Sequence, residues 1–413
     1  MLYDIGDYSS HLNEFPTAFQ YLERVVAMDP SFARALQHMA RVYRDMGNRE
    51  AFLEWAKRYA AADSAWDSYV LLGNAQIAAG DAANGIETLR RGRERALDHA
   101  QDFIFFTANA RFYQGRIADG LREWDRLLGT ASTLALRGAH LRGRAAGRIH
   151  QGAYRDARAD LGRAIELAGD HNPVQEAMTR MDAASLLMVG FGDRLAAFRQ
   201  VERCAALEPS ITYLETYFNY WEYWGGLFKL YLLDGNHAAA TVLAKQKFAP
   251  DKWYDPYVAS YLHAAKGGCA QAAAAASQVL EWGPAAENIP LLYFLGRCQS
   301  EAGQLDEAVA SLDRLQTLYS HMTLGTPYYA KSLLLLGQVH ERRGDLRSAA
   351  RSFSKLLDLW RSGDHDHPDA VAARRQLERL EPMLASGPRR RPSHPPDPTG
   401  ALGARRAGAG VGP

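Results

Sequence analysis

The chain has 413 residues, 47% of them hydrophobic, with 48 basic against 47 acidic side chains and a formal net charge of +1. That length exceeds one ordinary domain, so several domains or one elongated array is expected. Arg389, Arg390, Arg391, Arg405 and Arg406 against Asp397 put +4 in the last 28 residues and leave the body near −3, which excludes the clearly basic folded surface that nucleic acid needs.

From the N-terminus, the opening Met1–Asp7 segment has neither a basic n-region nor an apolar h-region, so no signal peptide is expected. The first helix starts at Met1 without a cap, as though the array continued from an earlier repeat or a longer protein. Inter-helix turns are expected at Asn13, Gly47, Gly80, Gly115, Gly152, Gly192, Gly235, Gly267, Gly303 and Gly344. Glycine there supplies the positive φ that ends a helix. Before several of these turns a small residue replaces a large one, as at Gly73, Gly296 and Gly337. After them an alanine recurs, at Ala18, Ala157, Ala197, Ala308 and Ala349. Both choices let two helices approach closely. Pro30 and Pro209 follow second helices, where proline stops a helix without costing it a hydrogen bond.

Further along, Tyr213, Tyr217, Trp224, Phe228 and Tyr231 approximate one helical stripe and read as core. Tyr220, Trp221 and Tyr223 widen that stripe into a candidate surface for a partner or for self-association. The apolar run Ala270 to Leu280 is short and mostly alanine, and no run reaches the roughly 20 residues that span a bilayer. Cys204, Cys269 and Cys298 are too few and scattered for a disulfide framework, so a reducing, cytoplasmic setting is expected. Val371, Leu377, Leu380 and Leu384 outline a final helix, and beyond Ser386 the Pro, Arg, Gly and Ala composition is that of a disordered tail.

The turn spacing lies near the 34-residue period of tetratricopeptide repeats. The runs Tyr69 to Asp81, Leu292 to Ala308 and Leu333 to Ala349 carry the same order of large, small, turn and alanine positions. The chain therefore resembles the tetratricopeptide-repeat (TPR) family over roughly residues 1–360. That resemblance implies an all-α superhelical solenoid of about ten helix-turn-helix repeats over residues 1–367, a capping helix over 368–385 and a tail over 386–413. Each unit is expected to touch only its neighbours. A longer stretch, Thr326-Pro-Tyr-Tyr-Ala-Lys-Ser and then Lys355 through Asp369, looks like the C-terminal repeats of bacterial serine/threonine kinases and of winged-helix regulators. The glycine-rich loop, His-Arg-Asp loop and Asp-Phe-Gly of a kinase are missing from the sequence.

Function is expected to be binding rather than catalysis, with no cofactor, no metal, no nucleic acid and no membrane. In the family's register the first helix of each unit lines a concave groove. That places Arg34, Gln37, Arg41, Arg44, Asn74, Asn109, Arg142 and Arg297 along it. Asparagine bridges a peptide's backbone groups and arginine pairs with carboxylates, so the expected partner is a protein or peptide with an acidic segment. Asp364-His365-Asp366-His367 has the residue types of a metal site but reads as a solvated loop, since alternating neighbours preset no coordination geometry. Arg389 with Pro392, Pro395 and Pro396 reads as biased tail composition rather than as a ligand for polyproline-reading domains.

Overall fold

A computed structural model describes residues 1–11, 14–169, 172–207, 224–247, 254–281, 285–318 and 327–385. Tyr213 to Tyr223 of the aromatic block, and the tail from 386 onward, lie outside them. Twenty-one α-helices run through the described residues, with no strand among them. Ten antiparallel pairs account for twenty. The first five are α1 Leu2–His11 with α2 Phe15–Met28, α3 Ala33–Met46 with α4 Arg49–Ala62, α5 Trp66–Ala78 with α6 Ala82–Arg95, α7 Ala100–Tyr113 with α8 Ile117–Thr130, and α9 Leu134–His150 with α10 Tyr154–Ala168. The next three are α11 Pro173–Ser185 with α12 Arg194–Leu207, α13 Gly226–Leu233 with α14 His237–Lys247, and α15 Tyr254–Ala265 with α16 Cys269–Ala276. The last two are α17 Ala285–Glu301 with α18 Leu305–Thr317 and α19 Tyr328–Arg342 with α20 Leu346–Leu359, followed by α21 Pro368–Ala385. This is the all-α tetratricopeptide-type solenoid.

The turns show why these residues pair helices. Gly47 closes α3 at φ 77°, and the next residue, Asn48, accepts a hydrogen bond from Ala51 N at 3.1 Å to open α4. Gly344 and Asp345 do the same before α20, with Asp345 taking the Ser348 N–H at 3.1 Å. A left-handed glycine followed at once by an Asx cap reverses the chain in two residues and satisfies backbone groups at both helix ends. Every glycine expected at a turn has positive φ; Asn13 lies outside the described residues.

Within the pairs, Ala18, Ala157, Ala197, Ala308 and Ala349 are all 0% exposed. A Cβ on Gly337 would stand 2.4 Å from a ring carbon of buried Phe353, so α19 and α20 touch backbone to ring. Gly337→Ala is therefore expected to lower stability by about 1–2 kcal/mol, overpacking outweighing alanine's helical advantage of about 1 kcal/mol. Gly162→Ala in α10, where an added Cβ meets nothing within 4 Å, is expected to raise stability by up to about 1 kcal/mol. Denaturant midpoints of the two variants check this: they must move in opposite directions.

First helices of successive pairs touch one another at most junctions, and most second helices also pack against the first helix of the next pair. One core runs from Ala145 in α9 to Leu380 in α21. In α21 the buried residues are Ala370, Ala373 and Leu380, while Val371 is exposed. Among the described residues no helix is long and apolar enough to cross a membrane.

Two expectations need correction. Cys269 and Cys298 form a disulfide with Cα atoms 5.7 Å apart, where scattered thiols were expected. Stacking is the reason: Cys269 follows the Gly267–Gly268 turn at the start of α16 and faces Cys298 on α17, the first helix of the next pair. Only Cys204 is free among the cysteines, and burial pushes its thiol up to about 12. The second correction is that units do not touch neighbours alone. The loop after α20 returns to the α9–α10 turn, with Asp364 N donating to Gly152 O at 2.9 Å. Arg49 at the start of α4 donates to Thr317 O at the end of α18, and α3 approaches α17.

Candidate protein-binding groove

The first helices carry the predicted groove residues, and five of the eight, Gln37, Arg41, Arg44, Arg142 and Arg297, are engaged by other side chains of the chain. Asp67 on α5 is a hub. Tyr59 Oη donates to it at 2.8 Å, Gln37 Nε2 donates to it as well, and Arg41 stands 3.8 Å away. Burial, then Asp67, raises the Tyr59 phenol above its ordinary range. Arg44 pairs with its chain neighbour Asp45 at 2.8 Å. On α9, Arg142 reaches Asp182 of α11. Arg297 lies over the Phe294 ring and 3.6 Å from Glu301. These pairs link one first helix to the next or fold back on their own helix, so much of the arginine charge is matched internally.

Three residues differ. Arg34 is exposed and makes no hydrogen bond or ion pair among the described residues. Asn109 on α7 is 6% exposed. Asn74 on α5 is 7% exposed, and its Nδ2 has no hydrogen-bond partner. Asn74 directly follows Gly73, where an added Cβ would stand 2.8 Å from Leu89.

Sequence reasoning missed two constellations. The first is the clasp formed by the 360–369 loop. His367 is 6% exposed, not solvated: its Nε2 donates to Gly190 O at 2.8 Å and its Nδ1 accepts from Asp369 N at 3.2 Å. Gly190 belongs to the π-helical segment Leu186–Phe191, whose widened turn leaves that carbonyl to the histidine. Arg155 grips Asp366 at 2.6 Å, and Lys331 stands 2.6 Å from Asp369. Tyr154, Trp360 and His367 meet edge to face, with centroids 4.9–5.3 Å apart. Gly152 lies under the indole, 2.4 Å from an added Cβ to Trp360 Cδ2. No local motif signals this, because partners lie about half the chain apart.

The second constellation gathers Asp7 and His11 of α1 with His38 of α3. The four-residue step from Asp7 to His11 was legible as one helix face. His38 joins only through the stacking of α1 on α3. Burial pushes the His38 imidazole down to about 4, although Asp7 acts the other way. Ser10 lies alongside, with Oγ 3.3 Å from His38 Nδ1. It is not a Ser–His–Asp relay: Asp7 approaches the same Nδ1, at 3.3 Å, and the Ser10 hydroxyl donates to Asp7 O at 2.7 Å. A relay needs the two partners on opposite ring nitrogens.

No curated protein matches the chain. Among solved structures it is similar to a tetratricopeptide repeat protein from Parabacteroides merdae, at 13% identity and a TM-score of 0.36, covering 77% of this chain and 100% of that one. It is similar to yeast Tom70, at 12% identity and a TM-score of 0.29, covering 86% and 96%. It is also similar to the TPR domain of P58(IPK), at 14% identity and a TM-score of 0.28, covering 92% and 97%. Superposition at that level is loose, and the hairpin geometry carries the fold. Residues 292–321, most of the α17–α18 hairpin, match the family model of the tetratricopeptide repeat.

Proposed function

We propose that the chain is a non-catalytic scaffold that docks a partner protein or peptide along the inner face of the solenoid. Asn74 carries this reading. A buried amide donor left without a partner costs about 1–3 kcal/mol, and a backbone carbonyl of a bound segment relieves that cost. The acidic preference of the partner rests on Arg34, whose charge no described carboxylate matches, with Arg41 and Arg44 sharing theirs with Asp67 and Asp45. Placement in bacterial signalling, or as the regulatory part of a kinase or transcriptional regulator whose effector domain is missing from this chain, is supported by the likeness of Thr326 to Ser332 and of Lys355 to Asp369 alone.

Selection of short peptides from a displayed random library against the full chain tests this. Acidic sequences are expected to be enriched. Asn74→Ala should weaken the selected peptides about tenfold, the loss of one well-placed hydrogen bond, without lowering the melting temperature. Arg34→Glu should weaken them and flatten the salt dependence. Selected peptides that are not acidic and ignore both substitutions would refute the groove.

A further inference from the structure

We infer that Asp7, His11 and His38 form a binding site for a first-row divalent cation of the Zn²⁺ class, which pins the first hairpin of the array to the second. One ligand atom from each residue lies within 4.8 Å of the other two. Asp7 Oδ1 stands 3.1 Å from His11 Nε2 and 3.3 Å from His38 Nδ1. Bonds of 2.0–2.1 Å to a tetrahedral zinc put neighbouring ligand atoms about 3.3 Å apart, so two edges of the coordination shell already have the right length. His11 is exposed, and a small rotation of its ring closes the third.

Hydrogen bonding does not account for the convergence. Asp7 Oδ1 is a buried atom with no hydrogen-bond partner, despite two ring nitrogens at those distances. Buried carboxylate oxygens are almost always satisfied. A cation between the three atoms gives that oxygen a partner, because it takes lone pairs where a hydrogen bond requires an aligned proton; His38 Nδ1 then exchanges the Ser10 hydroxyl, 3.3 Å away, for the ion. Tyr3 packs edge-on against the His38 ring, with centroids 5.7 Å apart, and holds it toward α1.

The ligand set selects the ion. Two imidazoles and one carboxylate, with no thiolate, suit Zn²⁺, Co²⁺ or Ni²⁺ rather than Cu(I), and two nitrogens make the site too soft for Ca²⁺ or Mg²⁺. A fourth position, on the exposed His11 side, takes water. Location supplies the purpose: the ligands come from α1 and α3, so the ion ties the first described hairpin to the second.

Full-length chain stripped with a chelator and titrated with ZnCl₂ in a calorimeter is expected to take up one equivalent, and hydrogen exchange in α1 is expected to slow on binding. His11→Ala, an exposed change that leaves the core intact, and Asp7→Asn should each weaken binding at least about tenfold and abolish the slowing. His99→Ala serves as the control, since His99 and Asp102 form a surface pair at 3.1 Å without a third ligand; it should bind Zn²⁺ as the parent does. No stoichiometric binding, binding that ignores His11 and Asp7, or binding weakened equally by His99→Ala, which would mean surface histidines only, overturns the site.

Discussion

Trp360→Ala is expected to lower the unfolding free energy by about 3–5 kcal/mol, the range for deleting a fully buried large aromatic side chain, and to split one unfolding transition into two. The indole is 3% exposed, lies over the Gly152 turn and meets both Tyr154 and His367. It therefore does two jobs. It fills the end of the α20 hairpin, and it seals the clasp between the last units and the α9–α10 unit. Truncation leaves a cavity that the facing turn cannot fill, because Gly152 sits at φ 74° and is hydrogen-bonded through its carbonyl to Asp364. A linear array with contacts between neighbours alone loses cooperativity with length. The clasp restores it by coupling units about two hundred residues apart. Circular dichroism and intrinsic fluorescence followed through one denaturant titration check this. Coincident, single transitions in both parent and variant would show that the clasp does not couple the last units to the α9–α10 unit.

The clasp also marks the limit of what local pattern reveals. Gly47, Gly80 and Gly344 announce their turns because a positive φ is a demand on one residue, and the alanines of the second helices announce close packing for the same reason. Asn74 and Arg34 were placed on the inner face by register alone. Their different states, one buried with an open donor and the other exposed and unmatched, depend on neighbours from another hairpin. Asp67 was not singled out, since an aspartate at the start of a helix is ordinary; it becomes a hub only when α3 lays Gln37 and Arg41 beside it. His367 was read as solvated because alternating neighbours in a loop preset no coordination geometry, and only the return of the superhelix buries it. The pairing of Cys269 with Cys298 has the same origin: spacing says nothing, and stacking of adjacent units decides it.

Lowering the pH from 7.0 to 4.5 is expected to cost the folded chain about 2–3 kcal/mol through His150 alone. His150 ends α9 with 5% of its surface exposed, its ring centroid 5.6 Å from that of Tyr329 on α19. Burial pushes it from the ordinary 6.5 down to about 3. A helix C-terminus favours a charged histidine by at most about 2 kcal/mol, and here desolvation outweighs it. The sign follows from proton counting. Below pH 6.5 the unfolded chain takes up a proton that the folded chain refuses, so stability is full above that value and falls as pH drops toward the folded value. Each pH unit in that window costs about 1.4 kcal/mol, and pH 4.5 lies two units into it. His140 and His340 are also lowered by burial and act in the same direction. His150→Phe keeps a ring of similar size against Tyr329 and cannot titrate. Urea unfolding of parent and variant at both pH values isolates the effect: the variant should lose about 2–3 kcal/mol less than the parent on acidification. Equal losses in the two proteins would mean that His150 reaches solvent, and that the inner end of α9 is not sealed by the last repeat.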